Sequence, residues 1–186
     1  VLPSSPENPF LRIAVPVTEG ESVTIATNLV GSYNADNVMA AIAVGCHFGV
    51  SFEEAVAAIE AYVPSNNRSQ MTKTAKNTLI VDAYNANPTS MAAALENFSN
   101  VAAECKVAML GDMLELGEDS LAEHVAVVRS VAARGFAATY FVGKEFTAAS
   151  AEMTAEQLAG MRFFATSDEL AQHLTEHQLE GATVLI

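Results

Sequence analysis

The 186-residue sequence is short of cysteine, short of bases and free of long apolar runs, and each shortage removes a class of function. Cys46 and Cys105 are its two cysteines. They lie far apart, form no C-x-x-C pair, and fit a reduced compartment better than a disulfide framework, so a cytoplasmic protein is expected. Nine bases against 22 acids leave a formal charge of −13. Such a chain repels nucleic-acid phosphates and anionic lipid, which argues against both as partners. No apolar run approaches the ~20 residues of a membrane span, and no basic-then-apolar signal opens the chain. There is no G-x-x-x-x-G-K-[ST] motif, hence no phosphate-cradling P-loop within these residues, and no G-x-G-x-x-G for a dinucleotide.

What is present suits a folded α/β protein. Hydrophobic residues make up 51% of the chain, and the length matches one domain, or one domain with a piece of another. The sequence opens on Val1-Leu2-Pro3 without an initiator methionine and stops on Thr183-Val184-Leu185-Ile186, a strand-like run. The expectation is a segment of a longer polypeptide.

Residues 1–9 hold three prolines and read as an extended lead-in. From Leu11 to Val30, valine, isoleucine and threonine suggest two strands joined by a turn at Thr18-Glu19-Gly20-Glu21. A helix is predicted over Asn34–His47, with Gly49 as its terminating glycine. Ser51-Phe52-Glu53-Glu54 is a capping box opening a second helix, stopped by Pro64. The polar stretch Ser65–Asn77 reads as the domain boundary. Beyond it strands are predicted at Thr78–Asp82, Lys106–Gly111, Thr139–Gly143, Met161–Ala165 and Thr183–Ile186. Helices are predicted between them at Ser90–Ala103, Ser120–Arg134, Lys144–Glu152 and Asp168–Gln178. Capping boxes are expected at Ser120–Glu123 and Thr166–Glu169. Five strands alternating with four helices predict a parallel sheet covered on both faces.

Ligands of open α/β sheets bind beyond the carboxyl ends of the strands, so the segments after each strand are the first candidates. The first is Asp82-Ala83-Tyr84-Asn85-Ala86-Asn87-Pro88-Thr89-Ser90, dense in hydrogen-bonding groups. The second is Gly111-Asp112-Met113-Leu114-Glu115-Leu116-Gly117, and the third only Gly143-Lys144-Glu145. Arg68, Lys73 and Lys76 form a cationic window without acids, read either as a solvated hinge or as an anion site on which Arg68 could fork onto a phosphate. Asp112, Glu115, Glu118, Asp119 and Glu123 form an acidic stretch, read as a solvated face, as helix N-terminal charge or, with spacing that matches no EF-hand, as metal ligands. His173 and His177 have metal-ligand spacing but no evident third ligand, which favours a solvated helix face. Asn34 and Asn37, three residues apart at a helix start, either cap it or grasp a ligand.

Four segments together carry a resemblance: Gly31-Ser32-Tyr33-Asn34-Ala35-Asp36-Asn37, then Asn67-Arg68, then the Asp82–Ser90 loop, then Gly111–Gly117 with His124. In this order they resemble the ATP-dependent Mur ligases, over the whole chain. The resemblance implies residues 1–68 as the carboxyl-terminal portion of a central P-loop ATP-binding domain. It implies residues 69–186 as a Rossmann-like domain for the amino substrate, with a mainly parallel sheet flanked by helices. It further implies Asn34, Asn37, Arg68, Asp82 and Tyr84 as nucleotide contacts, Arg68 also being catalytic, and Asn85 and Asn87 as contacts to the incoming amine. ATP and Mg2+ are the implied cofactors, with the metal ligands mostly outside this chain. UDP-muramoyl tripeptide and D-alanyl-D-alanine are the implied substrates, joined in peptidoglycan precursor synthesis, and the remainder of the polypeptide is the implied partner. Tyr33 departs from the family, where histidine is frequent, as do Asn67 and Ser69 around Arg68. The alternatives are another amide ligase of the superfamily, of the folylpolyglutamate synthase type, or a non-catalytic α/β domain binding a small anion or a protein.

Overall fold

β-branched residues alternate along Arg12–Thr18 (β1) and Glu21–Ala26 (β2), which pair antiparallel with Ile13 opposite Ile25. In the computed structural model, which describes all residues except Ser4, Pro6, Glu7, Glu19, Asn66, Arg68 and Ser69, this hairpin turns through Gly20 at φ +90°. Two helices, Asn34–His47 (α1) and Phe52–Ala61 (α2), pack with it around Leu11, Ile13, Ile25, Val38, Ile42 and Val56. Gly49 closes α1 as predicted: its φ is +92°, with bonds from Gly49 N to Cys46 O and from Val50 N to Gly45 O. The capping box of Ser51 and Glu54 is fully formed, and the Ser51 bonds hold the Glu54 carboxyl below its ordinary range. Helix α2 ends at Ala61, before Pro64, because Tyr62 is already extended.

The second unit is a six-stranded sheet in the order β3-β4-β8-β5-β6-β7. Its strands are Gln70–Lys73 (β3), Thr78–Val81 (β4), Lys106–Gly111 (β5), Ala138–Val142 (β6), Met161–Phe164 (β7) and Thr183–Leu185 (β8). The five predicted strands are all present and parallel to their neighbours, but β3 is an addition. It lies within the stretch expected to be a polar linker and runs antiparallel at the sheet edge, Gln70 opposite Val81. An edge strand needs one apolar face and backbone partners, and Met71 alone packs on the main core.

Period-two alternation sends Ala108, Leu110 and Phe141 to one face and Val107, Tyr140 and Val184 to the other. Helices Pro88–Asn100 (α3), Ser120–Ala132 (α4) and Lys144–Ser150 (α5) cover the first face through Leu95, Phe98, Val128, Val131 and Phe146. Ser167–Glu176 (α6) covers the second through Leu170. The strand after α6 inserts between β4 and β5, so the chain from β4 to β5 steps over a place filled only by its last strand.

Helix starts depart from expectation in two places. No capping box forms at Ser120, because a 3-10 turn at Gly117–Asp119 runs straight into α4 and the N-cap position falls to Asp119. At α6, Thr166 Oγ1 caps Glu169 N, but Glu169 Oε2 returns to Ala165 N instead. Phe141 is fully buried, stacked on Phe163 at a centroid distance of 4.9 Å and tilted against Phe146 at 4.7 Å. Phe141→Ala is expected to lower the unfolding free energy by about 3–5 kcal/mol, to be measured by urea denaturation.

Candidate functional site

A cleft of about 490 Å³ opens at the carboxyl ends of β4, β8, β5 and β6. Ser90 and Met91 of α3 line one side and Ser167 and Leu170 of α6 the other. These helices lie on opposite faces of the sheet, so the cleft sits where the connections diverge, the place such sheets reserve for ligands. Its floor is apolar, including Met109, Leu185 and Ile186. The charged residues among its described lining are Asp82 and Asp112, both acids.

Asp82 follows β4, and its amide donates to Ile186 O at 2.7 Å. Its carboxylate Oδ2 accepts the Tyr33 hydroxyl at 2.8 Å. This contact brings the start of α1, with Asn34 and Asn37, to the rim of the cleft. Beside it Ser32 N and Oγ both donate to Asn97 Oδ1, at 2.9 and 3.0 Å. Gly31 has φ +98°, and a Cβ there would meet the Tyr33 ring at 2.5 Å, so this position needs glycine.

The asparagine pair does not cap α1. Tyr33 is the N-cap and bonds no helix amide through its side chain. Instead Asn34 Nδ2 donates backwards to Val30 O at 2.9 Å, and Asn37 Nδ2 reaches Asn34 Oδ1 at 3.5 Å. Asn34 is buried and Asn37 exposed. Tyr84 is 63% exposed, and Asn85 lines the cleft. Asn87 caps α3: its Oδ1 accepts Ser90 N at 2.9 Å, while Ser90 Oγ accepts Asn87 N. Arg68 lies outside the described residues.

The two described bases of the cationic window, Lys73 and Lys76, do not line the cleft. Lys73 pairs with Thr78 at the amino end of β4, away from the cleft. Lys76 Nζ is bound at 2.6 Å to both Glu180 Oε1 and Gln178 Oε1, and this holds the Glu180 carboxyl below its ordinary range. His173 is not on a simply solvated face either. It stacks on His177 at 4.4 Å and packs against Phe164 at 5.3 Å and Tyr140 at 5.7 Å. Desolvation, then the charges of His177 and Arg162, push its pKa down. No group of three or more potential metal ligands occurs among the described residues.

Within the acidic stretch, Asp112 itself supplies helix N-terminal charge. Its Oδ2 accepts Glu145 N and its Oδ1 accepts Phe146 N, both at 3.0 Å, so a residue at the end of β5 caps α5. Gly143 makes this possible. Its φ is +125°, and a Cβ there would lie 2.2 Å from the Asp112 carboxyl. The sequence shows Gly143 only as the unremarkable end of a short loop, and its pairing with Asp112 across 31 positions has no local signal.

Residues 67–186 match the family described as Mur ligase, glutamate ligase domain. The chain belongs to this family. A curated relative from Treponema pallidum, UDP-N-acetylmuramoyl-tripeptide--D-alanyl-D-alanine ligase, is 40% identical over 122 residues, covering 66% of this chain and 26% of the relative. The enzyme of the same name from Bacillus subtilis is 38% identical over 102 residues, covering 54% and 22%. A crystal structure of MurF from Acinetobacter baumannii superposes with a TM-score of 0.80 at 29% identity, covering 94% of this chain and 38% of that one. The chain thus spans about a quarter of the length of these curated Mur ligases. The whole cleft lies within the matched residues.

Gly143→Ala is expected to displace Asp112 from α5 and lower stability by about 1–3 kcal/mol. Urea denaturation measures the loss, and the amide resonances of Glu145 and Phe146 should move upfield with it.

Proposed function

We propose that these residues are the carboxyl-terminal part of a cytoplasmic, ATP-dependent ligase that joins D-alanyl-D-alanine to UDP-N-acetylmuramoyl tripeptide in peptidoglycan precursor synthesis. The observation that carries the proposal is the cleft. It is built wholly from residues matching the Mur ligase domain, and its described charged lining is acidic over an apolar floor. That lining suits a small apolar molecule approaching with its ammonium group, as an amino substrate does. The relatives' name supplies which amine and which acid.

In this proposal residues 1–68 complete a central ATP-binding domain and residues 69–186 bind the amino substrate. Asn34, Asn37, Asp82 and Tyr84 contact the nucleotide. The amides and the carboxylate fit the base and sugar, which need directional donors and acceptors rather than cations. Asn85 and Asn87 face the amine, Asn87 with its amide nitrogen, since its oxygen is committed to capping α3. ATP supplies the phosphoryl group that activates the tripeptide carboxylate as an acyl phosphate, and the amine then attacks that carbonyl carbon as phosphate leaves. The described residues offer no ligand set for Mg2+, which is assigned to the remainder of the polypeptide.

Arg68 is the catalytic residue of this scheme. A guanidinium delivered at the domain junction would stabilise charge on the transferring phosphoryl group, while closure keeps water from the acyl phosphate. In the full-length polypeptide, Arg68→Ala is expected to lower kcat by about 10²-fold, and unchanged turnover would exclude the role. The 186 residues alone are expected to show no ATP-dependent ligation. Product analysis with full-length protein tests the substrate: a D-alanyl-D-alanine adduct is expected, and incorporation of glutamate instead would overturn the proposal.

A further inference from the structure

His124 is completely buried, belongs to none of the contacts assigned above, and sits directly behind the β5–β6 rim of the cleft. Its ring packs edge-on against Phe146 at 4.6 Å. Nε2 lies 3.0 Å from Met113 N, and Nδ1 lies 2.7 Å from Ser120 O. A backbone amide can only donate and a carbonyl can only accept, so these two contacts fix the ring: Nε2 is bare and Nδ1 carries the proton. The ring is therefore neutral and held in one tautomer.

From these contacts we infer that His124 is a positioning residue that sets the cleft's rim and reshapes it on gaining a second proton. Through Nε2 it holds the Met113 amide. That fixes the chain next to Asp112, whose two carboxylate oxygens cross to the first amides of α5 and which itself lines the cleft. A protonated ring presents N–H to N–H at Met113 and cannot keep that bond. An acceptor close by is Asp112 Oδ1, 3.8 Å from Nε2. The carboxylate is drawn toward the imidazolium, and the Glu145 and Phe146 amides lose their partner. The charged groups facing the ring are Asp112 from the end of β5 and, through Ser120 Oγ at 2.9 Å, Glu145 of α5. The other Glu145 oxygen lies 3.6 Å from Lys144 Nζ. The proton is exchanged with solvent, and no other bond is made or broken.

The test reads the 186-residue chain and the full-length polypeptide side by side. In the chain, imidazole 15N shifts should show protonated Nδ1 and bare Nε2 at neutral pH. On acidification the amides of Met113, Glu145 and Phe146 should shift together with the His124 ring. In His124→Gln, whose amide can accept from Met113 and donate to Ser120 without titrating, those three amides should hold still. The opposite tautomer, or a protonated ring with the three amides unmoved, overturns the inference without any variant. In the full-length protein, acidification should raise the wild-type KM for D-alanyl-D-alanine relative to that of His124→Gln by about tenfold, the effect of one buried hydrogen bond lost. Both proteins meet the same substrate ionisation, so an unchanged ratio overturns the inference. The choice of that substrate rests on the proposed function; full-length protein that ignores D-alanyl-D-alanine would refute that function, and the amide shifts would still decide the role of His124.

Discussion

The cleft exists because one carboxylate crosses between neighbouring strands. Asp112 leaves β5 and satisfies the Glu145 and Phe146 amides in the first turn of α5, which begins after β6. Those amides carry the positive end of the helix and would otherwise face the cleft without partners. Joining the end of one strand to the start of the next helix fixes their separation and hence the width of the rim. The cost falls on Gly143, which holds a backbone angle that side chains rarely adopt so that the carboxylate has room. Behind it, His124 ties the adjacent amide to α4, so β5, α4 and α5 form one braced wall. The cleft wall is therefore set by hydrogen bonds whose geometry is directional, while its floor is set by apolar packing that is not.

The other wall is built differently. Where the amino-terminal unit meets the sheet, the polar contacts among the described residues include Ser32 with Asn97 and Tyr33 with Asp82. Val30 and Phe10 add apolar packing against the main core. An interface resting on a few exchangeable hydrogen bonds is one that water or a ligand can replace, and relative movement is the usual property of such junctions. Asp82 is central to this. The same carboxylate that meets the Tyr33 hydroxyl through Oδ2 is the one assigned to a nucleotide in the proposed function, so the docking of α1 and the occupancy of the site share one side chain. A wall braced at β5–β6 by Asp112 thus stands opposite one at β4 that meets Ser32 and Tyr33.

Much of the fold was legible because its signals are local. The period-two runs of Lys106–Gly111 and Ala138–Val142, the glycine ending α1 and the box at Ser51 each occupy a few consecutive residues. β3 was hidden because an antiparallel edge strand draws its stability from backbone pairing, and Gln70-Met71-Thr72-Lys73 carries one apolar side chain that matters. The box expected at Ser120 failed because the preceding Gly117–Asp119 turn already supplies helical geometry, leaving no extended N-cap residue for the serine to occupy. In the site, the Asp82–Ser90 loop and the asparagine pair were visible as clusters of polar residues. Asp112 with Gly143, and Tyr33 with Asp82, were not, since each joins distant segments and no pattern along the chain encodes the distance between them.

Charge gives the last constraint on how the cleft works. A site that handles phosphoryl groups needs cations, yet the described lining of this cleft is acidic, and Lys73 and Lys76 stand at the far end of the sheet. Lys76 is further committed to Glu180 and Gln178. An acidic lining of this kind suits an ammonium group better than a polyphosphate. Arg68, outside the described residues, is the remaining base of the window from Ala61 to Val81. It precedes Gln70, whose partner Val81 adjoins Asp82 at the cleft. In the proposed function, a cation contributed from the junction rather than from the cleft would separate the two demands: the amine would be held in the acidic pocket, and positive charge would reach the phosphoryl group only when the parts of the ligase come together. Such a division would limit loss of the acyl phosphate to water, because the charge that promotes its formation and the amine that consumes it arrive in the same closed arrangement.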